Sequence, residues 1–195
     1  MMRRLLLAAS AIVLMATPYM ARAQGSDLSA DAWTGWRAGI QLGVNHNSYG
    51  GFGSSSSLAT TLEGGYDYRV NWHLVIGGEL YSDWNSDTSH SVNSYPGASA
   101  NFGSRSYGLD FLAGFPVNNF LPYVKVGYGH VSITGDLSGS TSSVRYGAGL
   151  MWRINPYSAV VFQYTYQNAS IPSPFSNANF KNDNLTVGYD WFFNY

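Results

Sequence analysis

The segment GHVSIT contains His130 and Ser132, two residue types that perform nucleophilic catalysis. A serine hydroxyl becomes a nucleophile when an imidazole within hydrogen-bond reach takes its proton, and a carboxylate usually orients that imidazole. Asp136 is the acidic residue that lies near both in the sequence. The pair predicts a hydrolase under one interpretation, and only a histidine and a serine at the end of a strand under the other.

A second set of candidates consists of charged side chains in segments that are otherwise apolar or small. These residues are Arg37, Glu63, Asp67, Arg69, Glu79, Asp110, Lys125, Arg145, Arg153 and Asp190. Buried charges must be paired with partners of opposite sign. The set therefore predicts a network of ion pairs inside the fold. A gated ion path and a Glu63–Glu79 acid–base pair are the functional alternatives.

The segments that must position these residues alternate between apolar and polar side chains, which is typical of β-strands. Eight segments show the alternation: WRAGIQLGVNH, LATTLEGGYDYRV, HLVIGGELYSDW, SYGLDFLAG, PYVKVGYGHV, VRYGAGLMWRI, VVFQYTYQ and NLTVGYDWFFNY. In each of them one face is apolar and the opposite face is small or polar, apart from Phe192 in the last. This pattern predicts strands that face lipid on one side and a polar interior on the other.

The composition also favours a membrane protein over a soluble exported domain. Charged residues make up 11% of the chain and aromatic residues 16%, whereas ordinary soluble domains are about 25% charged. No stretch after the N-terminal segment is long and apolar enough for a spanning helix, so a closed barrel is the remaining way across a bilayer. The chain contains no cysteine, which excludes disulfides and lipid attachment at a cysteine.

The first residues predict export from the cytoplasm. Arg3 and Arg4 precede an apolar run, and the triplet Ala21-Arg22-Ala23 follows, which is the order of a secretory signal peptide over residues 1–23. Its removal leaves seven basic and 11 acidic side chains, a formal charge of −4, so nucleic-acid binding is not expected. We expect a short periplasmic segment at 24–34 and a single barrel domain at 35–195.

The connections between the segments predict an orientation. Those at 70–71, 115–119 and 155–158 are short, whereas those at 46–57, 85–104, 135–143 and 168–183 are longer and rich in Gly, Ser and Asn. Outer-membrane barrels have short periplasmic turns and longer outer loops. On this layout five tryptophans fall at the periplasmic end and predict an aromatic girdle at the membrane interface. They are Trp33, Trp36, Trp72, Trp152 and Trp191.

The turns also predict which charged residues meet. A turn centred near 117–118 puts Asp110 opposite Lys125, and a turn near Asn71 puts Glu63 opposite Glu79. The outer loops permit a register with Glu79 beside Asp110 and Lys125 beside Arg153. The expected interior has an acidic wall from the second to fourth strands and a basic wall from the fifth and sixth. Because side chains fill an eight-stranded barrel, we expect a plug that blocks flow.

Four motifs, WTGWRAGIQLGVN, LPYVKVGYG, VVFQYTYQN and the closing LTVGYDWFF, resemble the small outer-membrane β-barrel proteins of the OmpA-like and opacity-like type. The resemblance covers essentially the whole chain after residue 23. It implies an eight-stranded antiparallel transmembrane β-barrel in a bacterial outer membrane. It also implies that the barrel-assembly machinery reads the aromatic end of the last strand, at Tyr189, Trp191, Phe193 and Tyr195. A lipid A deacylase of this kind of membrane uses a His-x-Ser pair, which His130 and Ser132 resemble.

The expected function is structural and surface-facing, without enzymatic activity or a cofactor. The expected partners are outer-membrane lipid, lipopolysaccharide and the barrel-assembly machinery, and the loops at 46–57, 85–104 and 168–183 are available for adhesion or recognition of a surface ligand. No histidine spacing supports a metal site. The alternatives are a narrow small-solute channel, a lipid A-modifying hydrolase that uses His130 and Ser132, and a soluble lipocalin-like barrel.

Overall fold

The computed structural model describes residues 33–50, 52–92, 97–136, 139–171 and 178–193. The signal peptide predicted at 1–23, most of the segment at 24–34, and Tyr195 lie outside these residues. The strands are β1 Gly35–Tyr49, β2 Ser55–Asn71, β3 Leu74–Ser91, β4 Ser99–Gly114, β5 Phe120–Gly135, β6 Gly139–Asn155, β7 Ser158–Ile171 and β8 Ala178–Phe193. Each pairs with the next, and β1 pairs antiparallel with β8. The predicted eight-stranded antiparallel barrel is confirmed.

The barrel has two different ends. The connections 72–73, 115–119 and 156–157 lie at one end, which we call the turn end. At the other end, which we call the loop end, β1 is connected to β2, β3 to β4, β5 to β6, and β7 to β8. No helix long and apolar enough to cross a membrane occurs in the described part of the chain.

The strands are longer at the loop end than the sequence predicted. Paired residues continue to Asn47↔Ser55 between β1 and β2 and to Ser91↔Ser99 between β3 and β4. The loops predicted at 46–57, 85–104, 135–143 and 168–183 are therefore much shorter. Strand lengths of 14 to 18 residues exceed the roughly 9–11 that cross a bilayer. The Ser-, Gly- and Asn-rich composition wrongly predicted loops here, because the backbones of these residues still form the hydrogen bonds between strands of a closed sheet.

Glycines on the inner wall make room for the charged side chains beside them. Gly39 is paired with Asp190, and Gly127 with Asp110. A Cβ atom on either glycine would overlap the carboxylate of its partner. Most of the large charged groups in the barrel interior therefore lie beside a position on a neighbouring strand that has no side chain.

Candidate functional site

The described side chains form four layers in the interior. At the turn end lies an apolar layer of Trp33, Val75, Leu112, Leu121, Tyr123, Met151, Ala159, Val161 and Phe192. Above it are the charged layer, built around Arg37, Lys125 and Arg145, and then the amide layer, built around Asn182. The loop-end apolar layer contains Phe102, Val131, Ile133, Ala169 and Phe180, against which Tyr49, Phe52 and Ala100 pack.

Arg37 of β1 is the centre of the charged layer. Its Nε donates to Asp67 Oδ2 at 2.9 Å, and its Nη1 donates to Glu63 Oε1 and Asp190 Oδ2, each at 2.9 Å. Its Nη2 donates to Glu79. The Arg37 side chain is fully buried. One guanidinium therefore joins carboxylates from β2, β3 and β8 across the lumen, and such charge-assisted bonds are strong.

Two further cations extend this network through β4 to β6. Lys125 Nζ pairs with Glu79 and lies 3.1 Å from Asp110 Oδ2. Arg145 Nη1 lies 3.2 Å from the same oxygen, and its Nη2 lies 3.2 Å from Asp83 Oδ2. The Arg145 guanidinium also lies over the Tyr81 ring, 3.6 Å from its centroid. Asp83 was absent from the predicted network, although its inward position in the alternation was the signal that could have included it.

The predicted register was partly wrong. Glu79 is paired with Asp110 as predicted, but Lys125 is opposite Leu112 and Glu63 is opposite Tyr81. Lys125 is beside Gly147, not beside Arg153. The two turn-end pairings are off by two residues because the turns are centred differently from the prediction. A shift of two keeps every side chain on its face, so the same charges still meet inside the barrel.

Two arginines of the predicted network lie nearer the turn end. Arg153 donates from Nη1 to the carbonyl of Pro156 at 2.6 Å, and its guanidinium lies 3.7 Å from the centroid of Phe192. Arg69 is half-buried at the rim, and its Nε donates to the carbonyl of Asn71 at 3.1 Å. Arg153 is thus bound into the turn-end apolar layer rather than beside Lys125.

Trp33 does not belong to the predicted girdle. It is 2% exposed, packs edge-to-face on Phe192 at 6.2 Å between centroids, and covers Arg153. The other girdle residues do face outward at the turn end: Trp36, Trp72 and Trp191 are exposed, and Trp152 is half-exposed. Trp33 differs because it precedes β1 and packs into the apolar layer at the turn end of the lumen.

The interior is not polar throughout, which corrects the expected pattern of a small or polar inner face. Both ends of the lumen are lined by apolar side chains at inward positions, such as Leu112 at the turn end and Phe102 at the loop end. At the loop end, the His90 ring stacks on Phe102 with centroids 3.6 Å apart. Close-packed apolar layers leave few gaps for water. The charged and amide layers are therefore enclosed between two apolar ones.

Asn182 is the centre of the amide layer. Asn45 Nδ2 donates to its Oδ1 and also to Asn184 Oδ1 at 2.5 Å. Asn85 Nδ2 donates to the same Asn182 oxygen at 3.3 Å. Asn184 Nδ2 lies 3.5 Å from Asp83 Oδ2. These contacts connect the amide layer to the charged layer below it.

No hydrogen bond joins the predicted nucleophilic pair, His130 and Ser132, among the described residues. His130 Nδ1 lies 3.3 Å from Ser142 Oγ on the neighbouring strand, and Ser132 is paired with Ser140. Asp136 accepts a hydrogen bond from the backbone N of Asn101 at 2.8 Å. The cross-strand neighbour of a histidine depends on register, which the sequence alone did not fix. Among the described residues, no group of three or more His, Asp or Glu side chains could hold a metal ion.

The outer wall carries the aromatic end of β8 and a shallow groove. Trp191 and Phe193 are exposed, and the Tyr189 ring lies 4.8 Å from that of Trp191. The groove has a volume of about 460 Å³ and is lined by Tyr66, Tyr68, Ile76, Gly77, Gly78, Phe111 and Leu112. It opens away from the lumen, so it is not a path through the barrel.

Comparison with known proteins identified relatives of this architecture. The family model described as outer membrane protein beta-barrel domain matches residues 6–193. Neisserial surface protein A (NspA) is 18% identical, with 82% of this chain and 98% of that one covered and a TM-score of 0.61. The outer membrane protein OprG from Pseudomonas aeruginosa is 14% identical, with 83% and 98% covered and a TM-score of 0.55. At these identities the structures show a shared fold. No curated protein sequence matched.

Proposed function

The chain belongs to the outer membrane protein beta-barrel domain family and is a barrel of the bacterial outer membrane, and from this we propose a structural, surface-facing role with a lumen that passes no solute. The observation that carries the proposal is the environment of Arg37. Its buried guanidinium bonds four carboxylates from three other strands. Apolar layers lie on both sides of this network.

The energetics support a plug rather than a path. A passing ion would have to displace partners of Arg37 or Lys125, and breaking a buried ion pair leaves an uncompensated charge at a cost of about 3–5 kcal/mol. The ion would then meet Phe102 or Leu112, which offer no polar group to replace its hydration shell. Side chains fill the interior of an eight-stranded barrel. A protein that only supports the membrane does not need to open the ion-pair network or the apolar layers.

The two ends of the barrel would face different partners. Short turns are typical of the periplasmic side, so the turn end faces the periplasm and the loop end faces the exterior. The outward side chains of the wall would contact outer-membrane lipid and, near the loop end, lipopolysaccharide. The connections 50–54, 92–98 and 172–177 would be available to a surface ligand. NspA, which shares the fold, is by its name a surface protein.

The aromatic end of β8 would serve assembly. Tyr189, Trp191 and Phe193 share the outward face, and Tyr195 continues the same alternation in the sequence. We expect the barrel-assembly machinery to recognise this end. Replacing Trp191 and Phe193 by alanine should reduce the amount of folded barrel in the outer membrane, measured as the heat-modifiable band in membrane fractions. An unchanged band would contradict this role.

The test of the structural role is deletion of the gene in the bacterium that makes the protein. We expect entry of large, normally excluded antibiotics to rise and uptake of small solutes to stay the same, with recovery when the wild-type gene is returned. Slower uptake of small solutes would instead support the channel alternative. Altered lipid A in cells that overproduce the protein, lost in a His130→Ala variant, would support the hydrolase alternative.

A further inference from the structure

The described interior buries more carboxylates than basic groups. The buried carboxylates are Glu63, Asp67, Glu79, Asp83, Asp110 and Asp190, and the buried basic groups are Arg37, Lys125, Arg145 and Arg153. If Arg69 at the rim is counted with the basic groups, six carboxylates still face five. Uncompensated charge in a medium of low dielectric constant is costly. The excess is removed when a carboxyl group takes up a proton or when a cation binds nearby.

The amide layer, directly above, presents oxygen atoms that lack hydrogen-bond partners among the described residues. They are Asn45 Oδ1, Asn47 Oδ1, Asn85 Oδ1 and Gln167 Oε1. All four residues are buried. A buried carbonyl oxygen without a partner costs about 1–3 kcal/mol, so the four together require an explanation.

The amide groups are held with their oxygens free by the bonds that their nitrogens make. Asn45 Nδ2 donates to Asn182 and Asn184, and Asn85 Nδ2 donates to Ser104 Oγ at 2.9 Å as well as to Asn182. Gln167 Nε2 donates to the carbonyl of Gly129 at 3.3 Å. Rotating any of these amides would break bonds already made. In these three residues the unpaired atom is thus an acceptor.

The four free oxygens belong to residues that either bond to Asn182 or are paired with it. Asn45 and Asn85 both donate to Asn182 Oδ1. Asn47 and Gln167 are the cross-strand partners of Asn182 on its two neighbouring strands, β1 and β7. Asp83, whose Oδ2 is near Asn184, adds a negative charge on the side of the charged layer.

We propose that the amide layer binds a monovalent cation, with the side-chain oxygens of Asn45, Asn47, Asn85 and Gln167 as its ligands. Neutral carbonyl oxygens can replace the hydration shell of such an ion. A divalent cation prefers several carboxylates, whereas the oxygens of Asp83 already accept from Thr61 and Ser106 and pair with Arg145. The ion reduces the excess negative charge of the interior and gives the free oxygens a partner.

The loop-end apolar layer closes this site. Phe180, the next inward residue of β8 toward the loop end, is fully buried with Phe102. An ion below these rings exchanges slowly with solution. The site therefore stabilises the folded barrel and does not conduct ions. Its occupancy does not depend on any ligand that the loop-end connections bind.

The test uses the whole refolded barrel and rubidium as the probe. We expect the thermal unfolding midpoint in RbCl to exceed that in N-methyl-D-glucamine chloride of equal ionic strength by a few degrees, and to rise with the logarithm of the Rb⁺ concentration. Crystals grown in RbCl should show anomalous scattering beside Asn182. Equal midpoints in the two salts, or water alone at this position, would overturn the proposal.

A variant at Asn47 gives an independent result, because neither polar atom of this side chain has a partner among the described residues. In an unoccupied layer, Asn47→Leu would be neutral or stabilising, since it removes two unpaired polar atoms. If Asn47 is a ligand, the same substitution lowers the midpoint in RbCl and reduces or abolishes the difference between the salts. Asn101→Leu, at an exposed position of β4, is the control and should keep the difference.

Discussion

The charged layer and the two apolar layers fill the same narrow lumen by different physical means. In the charged layer, Arg37 holds its neighbours by ion pairs, and most of the large side chains have a glycine beside them, as Gly77 is beside Asp67. In the loop-end apolar layer, Phe102 and Phe180 fill the space by packing alone. The stability of the charged layer depends on its ion pairs, and that of the apolar layers depends on the volume their side chains fill.

Because of this difference, the two kinds of layer should tolerate different substitutions. Removal of one partner in the charged layer leaves several groups uncompensated, so its effects should be large and shared among strands. Truncation in an apolar layer removes contacts at one place, so its effect should follow the volume lost.

Arg37→Met should have the largest effect, because four buried carboxylates lose their common cation. We expect a loss of about 5 kcal/mol or more in the free energy of unfolding, measured by urea unfolding of the barrel in lipid vesicles. Arg105→Met, at an exposed position of β4, is the matched control and should change stability by about 0.5 kcal/mol or less. Equal midpoints for the two variants would contradict the role of the charged layer.

Phe102→Ala should have the next largest effect. The ring is fully buried among Tyr49, Phe52 and His90, so its removal should cost about 3–5 kcal/mol in the same unfolding assay. Phe111→Ala removes an equal ring from the outer wall, where 60% of the residue is exposed. We expect a clearly smaller loss in the free energy of unfolding for Phe111→Ala. Equal losses for the two variants would contradict the tight packing of the loop-end apolar layer.

Gly77→Ala and Gly78→Ala test the close approach of the charged layer to the wall. A Cβ at Gly77 would overlap the Asp67 carboxylate, with Cγ 3.2 Å away, whereas a Cβ at Gly78 would meet nothing within 4 Å. Overpacking should cost about 1–3 kcal/mol at Gly77 and almost nothing at its neighbour. The reverse order of unfolding midpoints would show that the inner wall is not tightly filled.

Ionic strength should have the smallest effect. Exposed ion pairs weaken within a Debye length of about 10 Å at 0.1 M salt, whereas buried pairs are screened much less. The Arg37 pairs are fully buried, so the free energy of unfolding should change by about 0.5 kcal/mol or less as N-methyl-D-glucamine chloride is raised to 1 M. A progressive loss of stability with this salt would mean that water reaches the charged layer.

Alternation in the sequence was enough to predict the barrel and the inward face of most charged residues, because the two-residue period of a strand survives errors in register. It could not predict which charges bond, since Lys125 and Glu63 were each displaced by two positions. It also missed the apolar layers, because inward Leu112 and Phe192 look like breaks in the pattern. Trp33 was misplaced because no strand periodicity applies before Gly35.

Whether the lumen is closed is tested most directly by single-channel current from the refolded wild-type barrel in planar lipid bilayers. We predict no stepwise current above the baseline in 1 M N-methyl-D-glucamine chloride or in 1 M KCl, because both apolar layers and the Arg37 network must open for an ion to pass. Long-lived current steps of one size, proportional to the salt concentration, would contradict the plug and support a channel.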